Sequence, residues 1–296
     1  MIQTSVVVAT YRRKNELKKA LDSLAQQDFK DFEIVLVDDN SDDNWNRTVS
    51  TIVDEFKNNY PTIAFKYIVN TENKGSAQTR NIGIDASSGE YITFLDDDDI
   101  YLPNKIKNQT VFMQTGGYDY SVTDLEFYNE NGKLFNRRVR DYIHETTVEA
   151  LCRYHLMYHL TGTDTMMFKK EYLKKIGGFA PIDVGDEFYL MQRAIDGCGK
   201  FGYLPGCDVK AFIHTGEDNL SSGDGKIKGE NALYEYKKTY FDKIDAKTKR
   251  YIRMRHYAVI AFAEIRRKKI FAFFVNAIKS FICSPIDCVN MFLKIR

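Results

Sequence analysis

Four short, largely apolar runs dominate the first hundred residues, and each ends abruptly in polar residues. They are Ser5–Ala9, Phe32–Val37, Ile63–Val69 and Tyr91–Leu95. Runs this short, rich in β-branched and aromatic side chains, suit strands buried on both faces of a sheet. Between them, Leu17, Ala20, Leu21 and Leu24, and then Val49, Ile52, Val53 and Phe56, recur at the spacing of amphipathic helices. A third helix, with Ser76 placed to cap it, carries Thr79, Arg80, Asn81, Ile82 and Gly83. Alternating strand and helix predict a mostly parallel, Rossmann-like α/β sheet with right-handed crossovers and flanking helices. In such open sheets the ligand crevice opens at the carboxyl ends of the strands.

Three of those strand ends carry polar chemistry: Thr10-Tyr11-Arg12-Arg13, Asp38-Asp39 and Asp96-Asp97-Asp98-Asp99. Adjacent carboxylates repel one another, and burying even one without a partner is costly, so four in a row require a cation. Hard divalent ions, Mn²⁺ or Mg²⁺, take oxygen ligands and commonly bridge carboxylates to a substrate's phosphates. The competing reading is an acidic turn held in water; the buried strand ahead of it favours the metal. The set as a whole reads as a nucleotide site. Tyr11 can stack on a base and Asp39 can accept hydrogen bonds from a base edge, while Arg13, Lys74 and Arg80 can meet phosphate oxygens. Singly, each has an ordinary alternative: packing for Tyr11, a turn or cap for Asp39, a solvated helix face for Arg80. Convergence at strand ends separates the two readings.

Charge narrows the partners. With 42 basic and 41 acidic residues the formal net charge is +1, which leaves no general basic field for nucleic acid. The five cysteines (Cys152, Cys198, Cys207, Cys283 and Cys288) are odd in number and lack CxxC spacing, which predicts reduced thiols in a cytosolic compartment. Met1-Ile2-Gln3-Thr4 runs straight into the first strand, an arrangement that predicts no signal peptide. No uncharged apolar run approaches the ~18 residues that a membrane span needs.

Four ordered blocks, Ser5–Arg13, Phe32–Asp42, Asn73–Gly83 and Gly89–Pro103, resemble family 2 glycosyltransferases of the GT-A fold, the nucleotide-diphospho-sugar transferase fold. Their text reads VVVATYRR, FEIVLVDDNSDD, NKGSAQTRNIGIDASSGEYITFLDDDD and YLP. The resemblance implies an inverting, metal-dependent transfer of a sugar from a nucleotide donor, a UDP-sugar, to a hydroxyl. The acceptor would be a saccharide or lipid-linked saccharide, in synthesis of a surface polysaccharide such as a capsule or O-antigen. Thr10, Tyr11, Arg13 and Asp39 would hold base and ribose, with Lys74, Gly75 and Arg80 on the rest of the donor. The D-x-D motif maps to Asp96-Asp97-Asp98. Asp98 is then the expected metal ligand, Asp96 meets ribose or a metal-bound water, and Asp97 fills a position that is often small and neutral. Thr79 stands where the family usually has alanine. After the Gly-Gly-Phe of Gly177–Phe179 the family carries an acidic pair with the general base. Counting back from Arg193 aligns Asp186-Glu187 with it in swapped order, so Glu187 is the expected base and Asp186 the second choice. Without the resemblance, these carboxylates are what a helix dipole favours at its start. His214, ahead of the Gly- and Ser-rich run Thr215–Gly225, would sit near the metal or diphosphate beneath a lid.

Pro103–Gln114, Thr147–Tyr158 and Lys170–Ile176 read as helices, Thr165–Phe168 and Val209–His214 as strands. Tyr118–Phe135 reads as a hairpin turning at Asn131-Gly132, followed by a basic loop with Arg137, Arg138 and Arg140. That loop either is solvated or grips an acidic acceptor such as a lipid diphosphate. The domain plan is a catalytic region over 1–225, with a donor half at 1–99 and an acceptor half at 100–225, and a helical region over 226–296. Tyr257–Ile282 combines a wide Phe- and Ile-rich stripe with Arg266, Arg267, Lys268, Lys269 and Lys279. Such a helix suits an anionic membrane interface, the inner face of a plasma membrane for a cytoplasmic protein. The alternative is packing on the catalytic region or in a homodimer. Two other functions compete. A sugar nucleotidyltransferase needs a glycine- and arginine-rich loop after the first strand, where this chain has Thr10–Arg13. A non-catalytic sugar-nucleotide or polysaccharide-binding module has no need of Asp96, Asp98 and Glu187.

Overall fold

A computed structural model of the chain describes residues 2–182, 185–213 and 223–293. It contains two compact units, Met1–Val148 with Leu160–His214, and Glu149–His159 with Thr215–Arg296. The first unit opens with β1 (Thr4–Thr10), α1 (Asn15–Ala25), β2 (Phe32–Asp38), α2 (Asp43–Asn59), β3 (Ala64–Val69), α3 (Gly75–Ala86) and β4 (Tyr91–Asp96), the alternation that the apolar runs predict. It continues through β5 (Ile100–Tyr101), α4 (Lys105–Gly116), β6 (Tyr120–Thr123), β7 (Leu125–Asn129) and β8 (Leu134–Arg138). Helix α5 (Val148–Tyr158) lies almost wholly in the second unit. The chain returns with β9 (Met166–Lys169), α6 (Lys170–Lys175), α7 (Asp186–Asp196), β10 (Phe201–Leu204) and β11 (Val209–Ile213).

The main sheet has seven strands in the order β10-β6-β9-β4-β1-β2-β3. All its pairings are parallel except those of β9, which runs antiparallel to both β4 and β6. Val6, Val8, Ile34 and Leu36 bury one face of the sheet against Leu17, Leu21 and Leu24 of α1 and Val49 and Val53 of α2. Each such side chain contributes about 1.5–3 kcal/mol. Helix α3 also packs close to the sheet. A Cβ on its Gly83 would fall 2.4 Å from Cγ1 of Val7, so only glycine permits the approach. Register aligns the strand ends: Thr10 pairs with Asp38 and Ala9 with Asp96, which brings the three polar loops to one edge.

The hairpin expected over Tyr118–Phe135 is corrected. β6 enters the main sheet, and β7 and β8 form a hairpin in a second sheet of order β5-β11-β7-β8. The break falls at Asp124, whose carboxylate accepts from the Arg140 N–H at 3.0 Å, the Tyr203 hydroxyl at 2.7 Å and the Gly206 N–H at 3.0 Å. A buried carboxylate satisfied in this way anchors a crossing between sheets, not a continuous strand. Arg137 and Arg138 accordingly end β8, and Arg140 is fully buried, in contrast with the expected basic loop.

In the second unit α8 (Gly223–Lys238), α9 (Ala246–Arg266), α10 (Ile270–Cys283) and α11 (Pro285–Leu293) join α5. Asp245 caps α9 by accepting from the N–H of Thr248 at 2.9 Å. Helix α10 folds back along α9, where the buried Ser280 hydroxyl donates to the Met254 carbonyl at 2.9 Å. Among the described residues no helix is long and apolar enough to cross a membrane.

Candidate active site

The four aspartates after β4 split into two pairs. Asp97 and Asp98 turn towards the loop after β1. Asp97 accepts from the Thr10 hydroxyl at 2.7 Å and the Tyr11 N–H at 3.2 Å, and Asp98 pairs with Arg13 at 2.9 Å. Burial beside Asp98 pushes the Asp97 carboxyl up to about 7. Asp96 and Asp99 instead face Asp164, which the turn before β9 presents. A carboxylate oxygen from each of the three lies within 4.8 Å of the other two. Asp164 accepts from the Asp96 N–H at 2.6 Å, and Asp99 accepts from the Phe212 N–H at 2.8 Å. Burial and mutual repulsion hold both Asp99 and Asp164 above the ordinary carboxylate range. Behind them Lys105 is wholly buried, with its ammonium 2.7 Å from the Tyr101 hydroxyl, and burial brings it down to about 7. The Tyr101 hydroxyl in turn donates to the Asp164 carbonyl at 3.1 Å.

Arg80 of α3 ties this cluster to the start of α7. Its guanidinium donates to Asp96 at 2.6 Å and to Asp186 at 2.9 Å. Asp186 also accepts the Glu187 N–H at 2.9 Å. Glu187 is half-buried, and its Oε2 accepts from the Gly162 N–H at 2.8 Å and the Thr163 hydroxyl at 3.2 Å. Burial raises its pKa above the usual glutamate value, while Arg138 pulls it down. Gly162 has φ +118°, a backbone state that a side chain strongly disfavours, and there it offers its N–H to the carboxylate. The same Thr161–Gly162 peptide is gripped at its carbonyl by Arg138 at 3.2 Å and Arg140 at 2.6 Å.

The other expected site residues are placed as follows. Tyr11 is 45% exposed, with the Arg12 guanidinium 5.2 Å from its ring centre. Asp39 is almost fully buried. Its carboxylate accepts from Asn70 and the Lys74 N–H at 2.8 Å each and from the Gly75 N–H at 2.9 Å. It therefore shapes the start of α3. The Lys74 ammonium reaches Glu72 at 2.8 Å. His214 and most of the Thr215–Gly225 run lie outside the described residues. Among the described residues the carboxylates that meet are Asp96, Asp99 and Asp164, which share Asp96 with the expected metal set of Asp98, Asp96 and His214. Three hard oxygen donors fit Mn²⁺ or Mg²⁺.

A mostly parallel α/β sheet with its acidic turn at the strand ends defines the GT-A class of glycosyltransferases, and solved structures carry the same fold. TarS of Staphylococcus aureus matches with a TM-score of 0.63 at 20% identity, over 86% of this chain and 44% of that one. A Pyrobaculum calidifontis mannosyltransferase solved with GDP-Man and Mn²⁺ matches with a TM-score of 0.56 at 17% identity, over 96% of this chain and 73% of that one. The profile of glycosyl transferase family 2 matches residues 5–177, and the chain belongs to that family. An uncharacterized glycosyltransferase of Methanocaldococcus jannaschii is 31% identical over 234 residues, 78% of this chain and 76% of the relative. The GalNAc(5)-diNAcBac-PP-undecaprenol beta-1,3-glucosyltransferase of Campylobacter jejuni is 38% identical over 122 residues, 41% of this chain and 37% of its own. The UDP-Glc:alpha-D-GlcNAc-diphosphoundecaprenol beta-1,3-glucosyltransferase WfaP of Escherichia coli is 35% identical over 124 residues, 40% of this chain and 45% of its own. In each of these two alignments the chain spans less than half of the relative's length.

Proposed function

We propose that this glycosyltransferase moves a sugar from a nucleotide donor, a UDP-sugar, to a hydroxyl of a lipid-linked saccharide in surface polysaccharide synthesis, with inversion. The observation that carries the reading is the meeting of Asp96, Asp99 and Asp164, the Arg80 guanidinium and Glu187 at one sheet edge. Glu187 has one oxygen held by Gly162 and Thr163, while Oε1 makes no hydrogen bond among the described residues. That oxygen takes the acceptor's proton as the hydroxyl attacks the anomeric carbon. The bond from that carbon to the diphosphate breaks on the opposite face, which inverts the centre. Arg80, held between Asp96 and Asp186, supplies positive charge near the departing phosphate oxygens, and Tyr11 offers an exposed ring for the base. Asp96, Asp99 and Asp164 would hold a divalent cation, with Asp98 beside them. When bound, the cation supplies charge neutralisation for the leaving diphosphate.

The lipid-linked acceptor draws support from the names of the Campylobacter and Escherichia relatives and from the second unit. Phe271 (83%), Ile282 (72%) and Ile286 (77%) of α10 and α11 lie exposed, with Phe274, Ile278 and Phe281 also exposed on α10. Arg266, Lys268, Lys269 and Lys279 are exposed nearby in the chain. Apolar side chains beside several cations suit an anionic membrane surface. Flotation with anionic liposomes tests this: protein left in the soluble fraction rejects it, and a dimer in that fraction supports subunit packing. The enzymatic reading is tested by donor turnover with Mn²⁺. Loss of turnover in Glu187→Gln and Asp164→Asn, with donor binding kept in the former, is expected. Donor binding without turnover on any acceptor favours a binding module.

A further inference from the structure

The three arginines that sequence places in one basic stretch have three different fates. Arg137 is paired with Glu126 at 2.7 Å. Arg140 is buried on the carbonyls of Thr123 and Thr161. Arg138 is half-buried, pinned with its guanidinium 5.1 Å from the Phe127 ring centre, and makes one hydrogen bond, to the Thr161 carbonyl at 3.2 Å. Among the described residues no carboxylate pairs with it, and a guanidinium has five N–H donors. Its position matters because Glu187 accepts the N–H of the same Thr161–Gly162 peptide. Cation and base therefore flank one peptide bond without touching it from the same side. The positive charge weakens the base, a standing disadvantage unless an anion from outside answers it.

We propose that Arg138 recognises an anionic oxygen group on the acceptor, a phosphate or a sugar carboxylate, beside the hydroxyl that Glu187 deprotonates. The inference rests on the glycosyl-transfer reading above. Arg138 is held ready for such a group, because its contact with the Phe127 ring and its bond to the Thr161 carbonyl restrain it, and a planar fork matches phosphate and carboxylate geometry. It is a specificity residue, separate from the donor-binding groups after β1, β2 and β4.

The test uses the full chain loaded with Mn²⁺ and UDP, titrated calorimetrically with farnesyl diphosphate and methyl glucuronide and with their neutral counterparts, farnesol and methyl glucoside. One anionic probe is expected to bind more tightly than its neutral counterpart, and which one does so identifies the source of the charge. Arg138→Met should weaken that probe by about 10- to 100-fold, the worth of a charge-assisted hydrogen bond. Arg138→Lys should restore part of the loss. UDP affinity and the neutral probes should change less than about twofold in both variants. The inference is overturned if neither anionic probe outbinds its neutral counterpart, or if Arg138→Met weakens charged and neutral probes alike. Failure of the wild type to bind UDP would instead overturn the donor reading.

Discussion

Among the described residues Arg80 is the single cationic link between the acidic turn after β4 and the start of α7, and replacing it with methionine measures that link. Methionine keeps the aliphatic volume over Phe179, whose ring centre lies 5.4 Å from the guanidinium, and removes the charge. Two ion-paired hydrogen bonds disappear, to Asp96 at 2.6 Å and Asp186 at 2.9 Å. The Arg80 and Asp186 side chains are 11% and 12% exposed, so stranding Asp186 carries the penalty of an unpaired buried charge, about 3–5 kcal/mol. Asp96 is 34% exposed, and solvent screens most of its share. The lower end, about 3 kcal/mol, is the expected loss. For a domain of this size it lowers Tm by roughly 6–12 °C. Trp45, the only tryptophan, belongs to the first unit, so its fluorescence follows the unfolding of that unit. Adding Asp186→Asn to the variant removes the stranded charge and should restore at least about 1 kcal/mol. A shift below about 2 °C for Arg80→Met, or no recovery in the double variant, would refute the reasoning.

Three further outcomes are expected. Glu187→Gln should lower kcat by about 10²–10⁴-fold with donor affinity unchanged; in the wild type the acid limb of kcat lies above the ordinary glutamate range, and Arg138→Met moves it higher still. Asp97 and Asp164, each at about 7, titrate above their unfolded values, so their contribution is full below about pH 4 and lost as pH rises through 7, and Asp99 is shifted in the same direction. Metal-free protein should therefore melt at a lower temperature at pH 8 than at pH 6, and Mn²⁺ should raise Tm more at pH 8; a flat or rising metal-free profile contradicts this. Gly89→Ala should destabilise by about 1–3 kcal/mol in urea titrations, because its Cβ would fall 2.7 Å from the Ser5 backbone nitrogen.

The first hundred residues could be read because their signals are local. Apolar runs and helical spacing lie along the chain, and the register of β1 with β2 and β4 turns three loop motifs into one edge. Asp164 could not be read that way. The strand-end rule looks after strands, but β9 runs antiparallel, so its crevice loop comes before it. Asp164 meets Asp96 across 68 residues, with only a polar run, Thr161–Thr165, to signal it. Arg140 misled for the opposite reason. Arg137, Arg138 and Asp141 around it are charged, but the crossing at Asp124 draws it under the Thr161 carbonyl. Asp39 was visible, but its bonds to Lys74 and Gly75 reflect how the loop closes on itself.

The reversal of β9 also sets where the chain after β4 tolerates change. Its leading turn, Leu160–Thr165, opens on the chemistry, whereas its trailing end passes into α6 at the opposite rim of the sheet. Grafted loops or tags inserted after Lys169 should leave catalysis alone, while a single added residue before Met166 should displace Asp164 and the peptide that steadies Glu187. A library meant to alter acceptor choice is best aimed at β8 and its turn, with the five residues before β9 left untouched.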